Sequence, residues 1–277
     1  MFTKKISQIL PDFSPVIEAT IFTPKKITQE TIIYLHGGGL VFGQREDLPL
    51  PYIEAFTDAG HPVITLDYLL APEVKLPIIL ETLKKTLEKT IELLPTWGFS
   101  QQYTLMGRSA GSYLAALLIK ADFKPKHLVS FYGYYTLDVP AFRQPNPNYL
   151  VFPRVSPMAV DALIERTPIV TGDMHRRYPI YLSGRQFGNW LPRILPSLRE
   201  IATFSITEEE LKNFPPTILI HSTKDPDIPY EFSQVASRLI PVNKLITIKG
   251  TEHDFDRQVT TDSLAIYQQV ITFLAEV

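Results

Sequence analysis

The chain contains no cysteine, and that absence removes disulfides, thiolate nucleophiles and Cys-ligated metal sites together. Long apolar runs are missing too: nothing approaches the roughly 20 residues that a bilayer-spanning helix requires. The opening residues, MFTKKISQILPDFSP, carry two lysines but lack the apolar core of a signal peptide. Neither sign of charge is in excess, since 27 Lys and Arg against 29 Asp and Glu leave a formal net charge of −2. There is then no basic field to attract nucleic acid or anionic lipid. These absences lead to the expectation of a soluble, cytoplasmic protein with no membrane span and no nucleic-acid partner.

What is present is ordinary globular composition, 45% hydrophobic and 20% charged over 277 residues, which suits one α/β domain. Proline is plentiful at 24 residues, many of them between Pro140 and Pro216. That region is expected to break into short helices and turns.

Along the chain, strands are expected at Val16 to Phe22, Thr31 to Leu35, Pro62 to Leu66, Tyr103 to Met106, His127 to Phe131, Thr217 to His221 and Lys244 to Ile248. Helices are expected between them at Tyr52 to Ala59, Pro77 to Leu94 and from Ser109 onward, with a last one at Asp262 to Val277. In the second of these, Leu80, Leu83, Leu87, Ile91 and Leu94 recur at spacings of three and four, which marks an amphipathic helix packed on a sheet. Alternation of this kind predicts an α/β fold with a mostly parallel central sheet, helices on both faces and ligands at the C-terminal strand ends.

From about 134 to 215 the alternation is lost. Ser156-Pro157 begins a helix expected to run to Arg166, and Thr207 with Glu210 forms a capping-box pattern. The apolar stretch between them suggests a cap or lid folded over the strand ends. Its aromatics, Tyr178, Tyr181, Phe187 and Trp190, point to an apolar pocket of limited depth and hence to short acyl groups.

Three loops after strands carry chemistry. Gly107-Arg108-Ser109-Ala110-Gly111 turns a strand directly into a helix, and in such a G-x-S-x-G turn the glycines remove side chains that would collide. The Ser109 hydroxyl is thereby left exposed beside a helix N-terminus. His36-Gly37-Gly38-Gly39 follows another strand. A dinucleotide fingerprint starting at Gly37 would need glycine at 42, where Phe42 stands, and no G-x-x-x-x-G-K-[ST] occurs. The loop instead offers uncovered N–H groups to an oxyanion. Asp225 and His253 each follow a later strand, so the order Ser109, Asp225, His253 is that of the α/β-hydrolase triad: hydroxyl, carboxylate, imidazole.

Together HGGG at 36–39, DYLLAPE at 67–73, GRSAG at 107–111 and the Asp225 and His253 segments resemble the hormone-sensitive-lipase-like group of α/β-hydrolase esterases. The likeness runs from about residue 16 onward and is weakest in the insertion. It implies an oxyanion hole of N–H groups from Gly38, Gly39 and Ala110, where losing one donor typically costs about 3 to 4 kcal/mol. Two positions depart from the pattern: Arg108 stands where the group usually has Asp, and Leu69 where it usually has Arg.

Competing residues are present. Asp227 lies two positions from Asp225, but the following Ile228-Pro229 favours Asp225. Glu252, Asp254 and Asp256 flank His253 and read as solvated loop charges. His36 reads as a brace for the glycine loop; His61, His127, His175 and His221 read as strand-end or surface residues, with no metal-ligand spacing on a helix. The expected activity is hydrolysis of small, short-acyl carboxylic esters through an acyl-enzyme, with neither cofactor nor metal. Amide, peptide or thioester cleavage by the same triad stays open, as does a non-catalytic binding role. The sequence leaves oligomeric state open, a homo-oligomer included.

Overall fold

The computed structural model describes residues 2–277. Eight strands form one sheet: β1 (Phe2–Leu10), β2 (Ile17–Pro24), β3 (Thr31–Leu35), β4 (Val63–Leu66), β5 (Tyr103–Arg108), β6 (His127–Phe131), β7 (Thr217–Ser222) and β8 (Asn243–Ile248). Their spatial order is β1-β2-β4-β3-β5-β6-β7-β8. The pairings of β1 with β2 and β2 with β4 are antiparallel and all the others parallel.

Every residue of β3 to β7 is buried. Continuous burial is what a parallel strand covered on both faces demands, and it explains their unbroken apolar runs. Successive side chains still divide between the faces: Ile33 and Leu35 join one apolar cluster, Ile32 and Tyr34 the other. On the first face lie α2 (Leu76–Leu93), α3 (Ala110–Lys120) and α9 (Glu231–Leu239); on the second lie α1 (Leu50–Asp58) and α10 (Thr261–Glu276). Helix α2 has Leu83 and Leu87 fully buried, with Leu80 and Ile91 partly so, as its spacing predicts. Full burial of one such leucine contributes about 1.5–3 kcal/mol.

Between β6 and β7 the chain forms α4 (Pro140–Arg143), α5 (Pro157–Asp161), α6 (Met174–Phe187), α7 (Trp190–Ile194) and α8 (Glu208–Leu211). Helix α5 is far shorter than the segment to Arg166 expected for it. Val160 is its sole buried residue, so a further turn would have little to cover. Helix α8 does start at the expected capping box of Thr207 and Glu210. The edge strand β1, helix α9 and, within the connection, the long helix α6 have no counterpart of their own in the sequence reading. Among the described residues no helix is long and apolar enough to cross a membrane.

Candidate active site

The candidate residues lie at the C-terminal ends of the parallel strands. Strand β5 turns into α3 at Ser109, whose backbone sits at φ 51° and ψ −117°, a conformation that typically costs a non-glycine residue about 1–3 kcal/mol. The turn is held by Ser109 N–H donating to the Phe131 carbonyl at 2.9 Å and by Ser112 Oγ donating to the Gly107 carbonyl at 2.6 Å. It is also closed tightly, because a Cβ at Gly111 would lie 2.1 Å from the Leu35 carbonyl oxygen.

Facing the serine, His253 Nε2 lies 2.9 Å from Ser109 Oγ, and its Nδ1 lies 2.6 Å from Asp225 Oδ2. A carboxylate opposite Nδ1 places the imidazole proton there and leaves Nε2 bare toward the hydroxyl. Burial works against a charged imidazolium, but the Asp225 carboxylate, with Asp227 and Asp254 behind it, outweighs burial and raises the His253 pKa above the ordinary histidine value.

The Asp225 side chain is fully buried and amply satisfied. Its Oδ1 accepts N–H bonds from Asp227 at 2.8 Å and Ile228 at 2.9 Å, while Oδ2 faces His253 and, at 3.1 Å, His221 Nε2. That second histidine nitrogen also faces the Ile228 carbonyl at 3.1 Å. Two acceptors fix the proton on Nε2, and His221 Nδ1 meets Ser233 Oγ at 2.7 Å. Burial raises the Asp225 pKa, yet the two histidines and the Ile228 N–H overcome it and hold the carboxyl well below the usual carboxylate range.

Asp227, the competitor, is turned elsewhere. Its carboxylate accepts both contacts of the Tyr181 hydroxyl, at 2.8 and 2.7 Å, and pairs with Arg185 at 3.2 Å. It stands 3.9 Å from His253 Nε2 and borders the cavity without meeting Nδ1.

The glycine loop follows β3. Gly38 and Gly39 have φ of 101° and 59°, which turns the chain so that the Gly38 carbonyl accepts from the Val41 and Phe42 N–H groups at 2.9 and 3.1 Å. Among the described residues the Gly38 and Gly39 N–H groups donate to no backbone carbonyl, and both glycines line the cavity with Ser109. Ala110 is the first residue of α3, where a helix leaves its N–H without an intrahelical acceptor. His36 is completely buried against Tyr68, with ring centroids 4.0 Å apart, and its Nδ1 meets the Gly37 carbonyl at 2.7 Å. Desolvation lowers its pKa, which keeps it a neutral brace.

The cavity over Ser109 encloses about 460 Å³, room for a small molecule. Tyr181 of α6 and Phe42 form apolar wall, Asp173, His175, Asp254 and Arg257 a polar one. Of the four aromatics singled out in the sequence, only Tyr181 reaches the cavity. Trp190 instead donates Nε1–H to the Gly39 carbonyl at 3.0 Å, Tyr178 packs edge-on to Phe42, and Phe187 is 40% exposed. Among the described residues no group of three or more His, Asp or Glu side chains is arranged to hold a metal ion.

One reading of a charged residue needs correction. Asp256 is not a solvated loop charge: it is completely buried and paired with Arg108 at 2.9 Å. His61, His127 and His221 are buried at strand ends, whereas His175 is an exposed residue bordering the cavity. Leu69 packs in the apolar core, while Asp67 pairs with Arg45 at 2.7 Å and Glu73 with Arg177 at 2.6 Å. The partners Arg45, Arg177, Arg185 and Tyr132 were not singled out in the sequence, because each lies far along the chain from what it touches.

The BD-FAE family model matches residues 20–239. An esterase of Gibberella moniliformis (strain M3125 / FGSC 7600) is 24% identical over 257 residues, 85% of this chain and 71% of that protein. A Staphylococcus aureus subsp. aureus Mu50 protein of unknown function has a solved structure similar to this one with a TM-score of 0.87 and 30% identity, covering 99% of this chain and 98% of its own. An α/β-hydrolase superfamily protein from Enterococcus faecalis gives a TM-score of 0.86 and 29% identity, covering 99% of each chain. With its strand order, its glycine loop and serine turn on one sheet edge, and a family match over most of its length, this chain belongs to the BD-FAE family and has the α/β-hydrolase fold.

Proposed function

We propose that this α/β-hydrolase of carboxylesterase type is a serine esterase acting on small, short-acyl carboxylic esters through an acyl-enzyme. The observation that carries the reading is the continuous contact from Ser109 Oγ through His253 to Asp225, at 2.9 and 2.6 Å, on the wall of a partly open cavity. Ser109 attacks the carbonyl carbon while His253 Nε2 takes its proton, and Asp225 stabilises the imidazolium that forms. The Gly38, Gly39 and Ala110 N–H groups hold the oxyanion of the tetrahedral intermediate. His253 returns the proton to the leaving alcohol, then activates a water that releases the acid. Residues 134–215 serve as the cap, with Tyr181 limiting acyl depth.

The esterase activity named for the Gibberella relative agrees with this chemistry. A panel of p-nitrophenyl acetate, butyrate and octanoate, beside matched anilides and thioesters, tests it. Turnover is expected to be highest at the short acyl chains and to fall on the order of 10⁴- to 10⁶-fold in Ser109→Ala. Rapid anilide or thioester cleavage beside negligible ester turnover would move the reading to another acyl bond. Ester turnover that survives Ser109→Ala would remove the serine mechanism altogether.

A further inference from the structure

His253 stands on a stretch with no helix or strand of its own, between the end of β8 and the start of α10. Of residues 251–260, Asp256 alone is buried. A loop bearing a reacting group needs anchoring, and the contacts of Asp256 show where the anchor lies. Its Oδ1 accepts from Arg108 Nη2 at 2.9 Å and from the Tyr132 hydroxyl at 2.6 Å; its Oδ2 accepts from the Tyr267 hydroxyl at 2.6 Å. Its backbone carbonyl takes the Tyr52 hydroxyl at 3.0 Å. Arg108 in turn donates Nε–H to Tyr132 at 2.7 Å, and the Tyr132 ring lies 4.7 Å from the His253 ring.

The far end of this anchor is the residue bonded to Ser109. Asp256 is three positions from His253 and Arg108 is one from Ser109, so the ion pair joins the backbones of the two groups that must meet. Arg108 is 6% exposed and Asp256 fully buried. Such a pair gives little net stability over apolar residues of similar size, and its best-attested use is to fix registry. We propose that Arg108 and Asp256 are positioning residues, a tether from the nucleophile's turn to the histidine's loop that sets the separation of Ser109 Oγ and His253 Nε2. The proposal rests on the serine-esterase reading above. It also accounts for the arginine at 108: its partner lies not in the DYLLAPE turn but in the His253 loop.

The rival use of Arg108 is direct, since it borders the cavity and a guanidinium can bind an anionic acyl group. Titratable groups facing His253 are Asp225, Asp227, Asp254 and Tyr132, so removing a nearby charge can also move its pKa without moving its position. The test separates the three. Arg108→Met/Asp256→Leu removes both charges and substitutes apolar volume, and is the variant expected to fold even where either single change leaves an unpaired buried charge. Arg108→Lys keeps the charge and serves as the conservative control.

Steady-state kinetics on neutral p-nitrophenyl acetate and on an anionic succinyl ester, over pH 5 to 9 (about neutral, where a histidine base titrates), are normalised to folded protein by thermal melt. A fluorophosphonate probe located on Ser109 by mass spectrometry establishes the serine reading independently of the tether. The expected result is a kcat lowered roughly 10²-fold in the double variant on both esters. KM and the acid limb of kcat/KM stay near their original values, and Arg108→Lys recovers most of the lost rate. A folded double variant with unaltered kcat overturns the proposal. So does a loss confined to KM for the anionic ester, which makes Arg108 a substrate contact, or a shifted acid limb with kcat unchanged, which makes the pair an electrostatic tuner.

Discussion

The central sheet and the β6–β7 connection share one apolar core but differ in the directional contacts added to it. Strands β3 to β7 are buried at every position, so beyond their backbone pairing they draw mainly on apolar burial, which is non-directional. The connection contributes Phe142, Ile180, Leu191 and Phe204, among others, to the same apolar core, and adds directional contacts from cations. Arg177 alone reaches the Val41 carbonyl at 2.6 Å, the Ala71 carbonyl at 2.8 Å and both oxygens of Glu73 at 2.8 and 2.6 Å. Arg185 pairs with Asp227 among the rings of Phe142, Tyr149, Tyr181 and Trp190, 5.2 to 5.9 Å away, and Lys75 donates to the carbonyls of Pro192 and Arg193. A sheet of this kind resists single changes by spreading its energy over many side chains. The connection shares in that burial and adds a few directional contacts to it, so a truncation at one of these is expected to loosen it locally while the sheet stays folded.

That contrast can be tested from its strongest point downward. Asp225→Asn, at the sheet edge, should leave the fold intact and lower kcat on the order of 10⁴-fold through loss of the His253 tautomer. A circular-dichroism melt beside the ester assay checks both halves. On the proposed mechanism the base acts only when neutral, so with the carboxylate present kcat/KM is expected to rise with pH through a midpoint above the ordinary histidine value of about 6.5. Asn at 225 should move that midpoint down.

Arg177→Met leaves Glu73 buried without its cation, a change worth about 3–5 kcal/mol. Limited proteolysis should then cut first between 140 and 170, and a wild-type digestion pattern would show that the connection does not depend on Arg177. At the opposite end of the sheet, burial raises the Glu30 pKa but its bond to His127 at 2.9 Å reverses the shift, to about 2. The folded value lies below the unfolded one, so Glu30 stabilises at pH above about 4.5 and that contribution is lost as pH falls toward 2. Urea unfolding across this range should show at most about 3 kcal/mol of pH-dependent stability that Glu30→Gln abolishes. The smallest effect is expected from Tyr181→Phe. Losing the hydroxyl that holds Asp227 should cost about 1–2 kcal/mol and widen the acyl range in the p-nitrophenyl panel without lowering acetate turnover more than a few-fold.

The same contrast explains what could be read in the sequence. Strands such as Thr31–Leu35 and His127–Phe131 announce themselves because continuous burial writes continuous apolar runs. Ser109, Asp225 and His253 follow such strands and were placed by them. Strand β1 escaped notice because, as an edge, it buries only Ile9 and shows Thr3, Lys4, Lys5 and Gln8 to solvent. Helix α6 carries Pro179 and is buried at every position from Ile180 to Gln186, which erases the one-sided period that marks a helix. Helix α9 buries just Phe232, Ser233 and Ala236, too few large apolar residues to stand out. Asp256 was misread because a charge declares its burial only through its partner, and Arg108 lies 148 residues away in sequence.

Gly39 carries a consequence for how the cavity opens. A Cβ there would lie 2.3 Å from the Tyr181 ring, and its carbonyl already holds the Trp190 indole. The glycine loop that lines the cavity is therefore clasped by α6 and α7, and the two cannot part without disturbing it. Asp173, His175 and Arg257 line the same cavity away from that clasp. Grafting a foreign cap onto this sheet would need to bring its own glycine loop with it.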